Sequence, residues 1–228
     1  MKILIAGDVH ATFNYLNAVI NVEHPDVVLA CGDFGYWPSH GARYSFKNIK
    51  PQNSKIYWCD GNHEEHPAIK AKLDKGITEF APNVFYMPRG TVKNFPHLGN
   101  VLFMGGADSI DKGGRTPGYD WFPEEIITQA DLDLLPDTTV DTVISHTAPT
   151  SIVEKLRYPY WQHRKCDDPS SVALQIVLEK YNPCKWFFGH WHLHQYGRVG
   201  HTNWCALNMF GGNTRAFVKE GDWNEHQN

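Results

Sequence analysis

Short apolar runs recur along the chain, separated by stretches of mixed polarity. They are KILIA at 2–6, DVVLAC at 26–31, KIYWC at 55–59, NVLFM at 100–104, DTVIS at 141–145 and KWFF at 185–188. Their length and their β-branched or aromatic content predict strands buried on both faces. Helix-like segments lie between them. NYLNAVINV places Leu16, Val19 and Ile20 on one face, and HPAIKAKL follows a polar turn. PEEIITQADLDLL opens on Pro123 and two acids, as a helix N-terminus favours. DPSSVALQIVLEKY predicts a helix capped by Asp168, with Pro169 first and Val172, Ile176 and Val177 apolar. Strand, helix, strand in repeated order predicts a layered α/β fold. TNWCALNMF and TRAFVK read as late strands, so one domain is expected over 1–218, with a frayed tail over 219–228.

The polar residues that end these runs carry the chemistry. KILIA is followed by Gly7-Asp8-Val9-His10, DVVLAC by Gly32-Asp33, and KIYWC by Asp60-Gly61-Asn62-His63-Glu64. DTVIS is followed by His146, and KWFF by Gly189-His190-Trp191-His192. In an α/β sheet the C-terminal strand edge is where loops converge to build sites. Singly, Asp8 could cap a helix, Asp33 and Asn62 could be turn residues, and His146 could be a core histidine. Jointly they read as ligands. Carboxylates with imidazoles and no thiolate suit Mn²⁺, Fe, Zn²⁺ or Ni²⁺ and disfavour a structural zinc site. Residues two apart in an extended segment point the same way, so His10 can join Asp8, and His192 can join His190. Seven such side chains exceed one ion's needs, whereas two ions ~3.5–4 Å apart sharing a carboxylate would use them for in-line displacement at phosphorus. His194 continues the alternation as a surface or supporting residue.

Composition narrows the partners. In 228 residues the apolar fraction is 42%, the charged fraction 20% and the net charge −4, which gives no general attraction to nucleic acid. No run of about 18 apolar residues is present to span a bilayer, and the start lacks a signal-peptide pattern, so a soluble cytoplasmic protein is expected. Five scattered cysteines without a CxxC pair suit reduced thiols, with Cys31, Cys59 and Cys184 as core filler.

With these residues in this order, the sequence resembles the calcineurin-like metallophosphoesterases, whose pattern is DxH, GD, GNH(E), a lone His and GHxH. The resemblance implies a four-layer α/β/β/α sandwich of two mixed sheets. It also implies a first ion held by Asp8, His10, Asp33 and His192, and a second held by Asp33, Asn62, His146 and His190, with Asp33 as the bridge. His63 would contact a phosphoryl oxygen and protonate the leaving group while a metal-bridging hydroxide attacks. Two divalent ions are implied, Mn²⁺ first among them.

Departures from that pattern bear on the substrate. Relatives that read GDxxDRG use its arginine on phosphate, and here the segment is GDFGYWP, which puts Tyr36 and Trp37 near the mouth instead. Arg115, in the block GGADSIDKGGRTPGYDWFPEE at 105–125, is the candidate replacement, or else an ion-pair partner of Asp111 or Glu124; Lys112 is a weaker candidate. EKLRYPYWQHRK at 154–165 mixes cations and aromatics as a base-stacking lid would, or as an anchored loop would. The expected activity is hydrolysis of phosphate esters, small or nucleotide-like. Phosphodiesters such as cyclic nucleotides or short nucleic-acid ends lead, with a phosphomonoesterase acting on nucleotides or phosphoproteins as the alternative. A non-catalytic metal-binding scaffold is the alternative class.

Overall fold

The computed structural model describes residues 1–157, 168–212 and 215–219. The first sheet holds β1 (Ile3–Ala6), β2 (Val27–Ala30), β3 (Lys55–Trp58), β4 (Glu79–Ala81), β5 (Val84–Tyr86) and the late β12 (Phe217–Lys219), in the order β12-β1-β2-β3-β5-β4. The second holds β6 (Thr91–Phe95), β7 (Gly99–Met104), β8 (Thr142–Ser145), β9 (Lys185–Phe188), β10 (Gln195–Val199) and β11 (Thr202–Ala206), in the order β10-β11-β9-β8-β7-β6. Each has a parallel centre with antiparallel strands at its edges, so both are mixed.

Alternation along the strands makes the layers. Ile3, Ile5, Val27, Leu29 and Cys31 face Val101, Phe103, Ile144, Phe187 and Cys205 across the inter-sheet core. The alternate positions Leu4, Ala6, Val28, Ala30, Ile56 and Trp58 meet Phe13, Leu16 and Ile20 of α1 (Phe13–Glu23) and Ile69 of α2 (His66–Leu73). On the far side, Val143, Trp186 and Phe188 meet Ile152 of α4 (Thr150–Val153) and Leu174 and Val177 of α5 (Pro169–Tyr181). Two mixed sheets between helical layers result, as expected. No helix among the described residues is long and apolar enough to cross a membrane.

Four details differ from the sequence reading. The helix expected from Pro123 is a single 3₁₀ turn, and α3 begins only at Gln129 (Gln129–Asp133). The turn cannot propagate, because Arg89 takes the Glu124 and Glu125 carbonyls and Thr128 starts a fresh cap with Asp131. In α5 the buried stripe is Ala173, Leu174, Val177 and Leu178, while Val172 and Ile176 face outward. Cys184 precedes β9 and is exposed beside His201, unlike the buried Cys31 and Cys59. Strands β4, β5, β6 and β10 had no sequence signal, being short or rich in polar residues. Lys219 ends β12, and residues 220–228 of the expected tail lie outside the described residues.

Candidate metal centre

Strands β1, β2 and β3 of one sheet and β8 and β9 of the other end at a common rim, and the predicted donors sit just past those ends. The loops are packed backbone to backbone. The Asp33 carbonyl accepts from the N–H groups of Val9 (3.0 Å) and His10 (2.7 Å), and the His146 carbonyl accepts from Gly189 (2.9 Å). A Cβ at Gly189 would fall 1.8 Å from Asp8 Oδ1, and one at Gly61 2.2 Å from Asp33 Oδ1. Only glycine admits these approaches. His10, Asp33, His190 and His192 all have left-handed backbones, with φ between 43° and 63°. The extended segments expected around His10 and His192 are therefore sharp turns. Strain of this kind costs on the order of 1 kcal/mol per residue and is held by the packing around it.

The Asp33 carboxylate lies at the centre, 1% exposed, with one oxygen toward each group of partners. Its Oδ1 is 3.2 Å from His146 Nε2 and accepts from the His63 N–H at 2.7 Å. Its Oδ2 is 3.6 Å from His10 Nε2. On the Oδ1 side, Asn62 Oδ1 stands 2.9 Å from His146 Nε2 and 3.0 Å from His190 Nδ1. On the Oδ2 side, His10 Nε2 is 3.4 Å from His192 Nε2, which is 3.1 Å from Asp8 Oδ2. Among the His, Cys, Asp and Glu side chains of the described residues, Asp8, His10 and His192 form one group with donor atoms within 4.8 Å of one another. All seven predicted ligands thus converge.

Supporting contacts decide which atoms face inward. His146 Nδ1 lies 2.9 Å from the Cys31 carbonyl, which can only accept, so Nδ1 carries a proton and Nε2 is the atom that faces the cluster. Asn62 Nδ2 donates to Ser109 Oγ (3.1 Å), which donates in turn to Glu125 Oε2 (2.9 Å), and this turns the amide oxygen toward His146 and His190. Several acceptors meeting this closely need a positive charge between them, a proton or a cation. Burial and charge agree. Burial alone would raise the Asp33 carboxyl, yet the charges of His146 and His63 hold it well below the usual range. Burial alone would lower His146, yet Asp33 and Asp8 push it up to about 10. The donor set therefore fits divalent cations, which would take the place of that proton.

His63 borders the cluster, its ring 5.0 Å from that of His10. Burial lowers its pKa, with Asp33 opposing and His10 and Arg115 adding to the effect. Arg115 Nη2 pairs with Asp111 Oδ1 at 2.7 Å, which is the expected ion pair, and also donates to His63 Nε2 at 2.8 Å, which brings the guanidinium to the edge of the cluster. Lys112 pairs with Asp108. Trp37 lies beside the site and donates from its indole to the His63 carbonyl, whereas Tyr36 is buried against Phe46 and Phe80. Ser109 and Glu125 were missed from sequence, although NVLFM ends in Gly105-Gly106 just as the ligand strands end in glycine. The buried Glu64 was also given no role. It accepts from Gly35 N–H (3.0 Å) and Gly61 N–H (2.6 Å), joining the loops after β2 and β3. Of the lid candidate at 154–165, residues 158–165 lie outside the described residues.

The family model described as calcineurin-like phosphoesterase matches residues 1–194. No curated protein matches the sequence. Among solved structures, one aligns at 17% identity and TM-score 0.60 over 97% of this chain and 95% of its own. Phosphopantetheinyl hydrolase from Mycobacterium tuberculosis aligns at 13% identity and TM-score 0.55, covering 100% and 93% of the two chains. GAP50, the anchor in the inner membrane complex of Plasmodium, aligns at 12% identity and TM-score 0.51, over 91% and 71%. These likenesses concern the fold.

Proposed function

Since the chain belongs to the calcineurin-like phosphoesterase family, we propose that it is a binuclear metal-dependent phosphoesterase, with Asp8, His10, Asp33 and His192 around one cation and Asp33, Asn62, His146 and His190 around the other. The observation that carries this reading is the Asp33 carboxylate, whose two oxygens face the two donor groups. Cations held there supply Lewis acidity for a phosphoryl oxygen and a nucleophile at neutral pH. Mn²⁺ is the first choice for a set of carboxylate, amide and imidazole donors. The protein's own contributions are then positional. Asn62 is oriented by Ser109 to present its oxygen, and His63 and Arg115 line the approach as the polar contacts for the phosphoryl group. An incoming phosphate competes for the Arg115 guanidinium, which leaves His63 Nε2 to hold a proton for the leaving oxygen. Phosphodiesters are favoured, because a cavity extends beyond His63 and Arg115 and can hold a second substituent on phosphorus.

The test is a panel of p-nitrophenyl mono- and diesters with Mn²⁺, alongside metal analysis. The diester should turn over faster than the monoester, and His63→Ala should lose most turnover while keeping its metal. Protein that holds two ions per chain yet hydrolyses no ester would be a scaffold, and the catalytic reading would fall.

A further inference from the structure

The cavity next to the centre measures about 190 Å³ and is lined by Trp37, His40, Tyr44, His63, Arg115 and Asp120. Drug-sized ligands occupy ~300–1,000 Å³, so this space suits one ring system. Its inner end is cationic and polar, where Arg115 meets His63. Its walls are aromatic. The Trp37 indole is pinned by its hydrogen bond to the His63 carbonyl (2.6 Å) and backed by Phe122 at 5.9 Å between ring centroids. The His40 ring stands edge-on to Trp37 at 4.7 Å and tilts against Tyr119 at 4.8 Å. Arg43 lies 5.6 Å over the Tyr44 ring and donates to the His10 carbonyl, which ties this wall to the metal side.

The polar groups among these rings define the occupant further. Asp120 Oδ1 accepts from the Thr116 N–H, and its other oxygen attracts N–H donors and repels a second phosphate. His40 Nδ1 pairs with Ser39, while His40 Nε2 is shielded from solvent and has no hydrogen-bond partner among the described residues. A shielded polar atom without a partner is unfavourable, and a ring with polar edges can relieve it after a small shift. An acyl chain would satisfy neither group. A flat ring with amino and ring-nitrogen edges, linked to a phosphoryl group, satisfies both and stacks on the walls.

We infer that this cavity is the base subsite of a nucleotide ester, with Trp37, His40 and Tyr44 as its stacking walls and Asp120 as the acceptor for the base's amino group. The inference rests on the phosphoesterase reading for the placement of the phosphoryl group. Its test uses phosphonates, whose P–C bond resists hydrolysis, titrated calorimetrically into the Mn²⁺-loaded protein. The 5′-phosphonate analogue of AMP should bind at least about tenfold more tightly than the same phosphonate on ribose without a base, the gain expected for stacking one base. Tyr44→Ala should bring the two affinities to within about twofold. The exposed Tyr119→Ala, which removes the ring behind His40, should narrow the gap if Tyr44→Ala does not fold. Equal binding of both phosphonates by wild-type protein that hydrolyses esters would overturn the base subsite and leave the hydrolase. Preference for the base in protein that hydrolyses no ester would do the reverse. Phenylphosphonate binding as tightly as the adenosine compound would assign the cavity to aryl phosphates such as phosphotyrosine, and the inference would fall.

Discussion

On one side of Asp33 the donors are shut away and braced, since His146 is fully buried on the Cys31 carbonyl and Asn62 is 5% exposed on Ser109. On the other side, His10 and His192 reach in from turns at the open mouth, with 19% and 45% of their side chains exposed. The same kinds of ligand are thus held in two ways. A braced, dry donor set is preorganised and slow to exchange its ion, whereas an exposed one can trade ligands with water or substrate. On the proposed two-ion reading, the inner side is the one to hold its ion and the outer side, open at His10 and His192, the one to exchange it.

Asp33→Asn should do most to break this comparison, because it strikes both sides. Elemental analysis should find both ions depleted together, with turnover of a diester reduced on the order of 10³-fold; a variant that keeps both ions would remove the bridge. His146→Ala should empty the inner side alone and leave Asp33 buried without its partner, destabilising the metal-free protein by about 3–5 kcal/mol in denaturant unfolding. His192→Ala should weaken the outer ion and, because the buried Asp8 keeps the His190 N–H, lower the unfolding midpoint less than His146→Ala does. If the two alanine variants behave alike, the inner and outer sides are not distinct. Ser109→Ala sharpens the contrast, since it frees the Asn62 amide to flip. Mn²⁺ affinity on the inner side should fall about 10–100-fold, with Glu125→Gln milder.

The smallest effect tests the packing beneath the inner side. His66 is buried with Nε2 3.1 Å from the Gly61 carbonyl, and Asp60, Arg89 and Glu124 surround it. Burial, with Arg89 adding and Asp60 and Glu124 opposing, lowers its pKa from 6.5 to about 4. The unfolded chain therefore binds a proton below pH 6.5 that the folded chain refuses until about pH 4. Stability is full above that window and falls through it by roughly 1.4 kcal/mol per pH unit. Comparing denaturation midpoints at pH 7.5 and pH 5, His66→Gln should lose less stability than the wild type; an equal loss would show that other groups govern the acid limb.

The sequence reading reached the ligands because their loops follow strands whose apolar runs are legible, and because each run ends at the same polar boundary. It did not reach the backbone that aims them. Histidine and aspartate enter the left-handed region more readily than most residues, yet most of them do not, so the positive φ of His10, Asp33, His190 and His192 is imposed by tertiary packing that no local spacing encodes. Val172 and Ile176 matched a helical period yet face outward, because the helix turns the stripe of Ala173, Leu174, Val177 and Leu178 to the core instead. Ser109 and Glu125 were hidden for another reason. Ser109 acts through a hydrogen bond from Asn62, 47 positions away, and Glu125 through Ser109 in turn, and no spacing rule encodes that relay.

The last described strand has a further consequence. β12 leaves the second sheet's end of the chain, crosses over and pairs with β1, matching Leu4 to Lys219, while the Phe210 N–H binds the carbonyl of Asp8 at 2.8 Å. The first of the proposed ligands, Asp8, is therefore seated by residues made some two hundred positions later. A nascent chain can order most of both sheets before that clasp exists, but it cannot fix the Asp8 turn. Competence to capture metal should arrive only once residues 210–219 have been made, so a shorter ribosome-bound fragment would meet the cell's metal pool without yet being able to close on it.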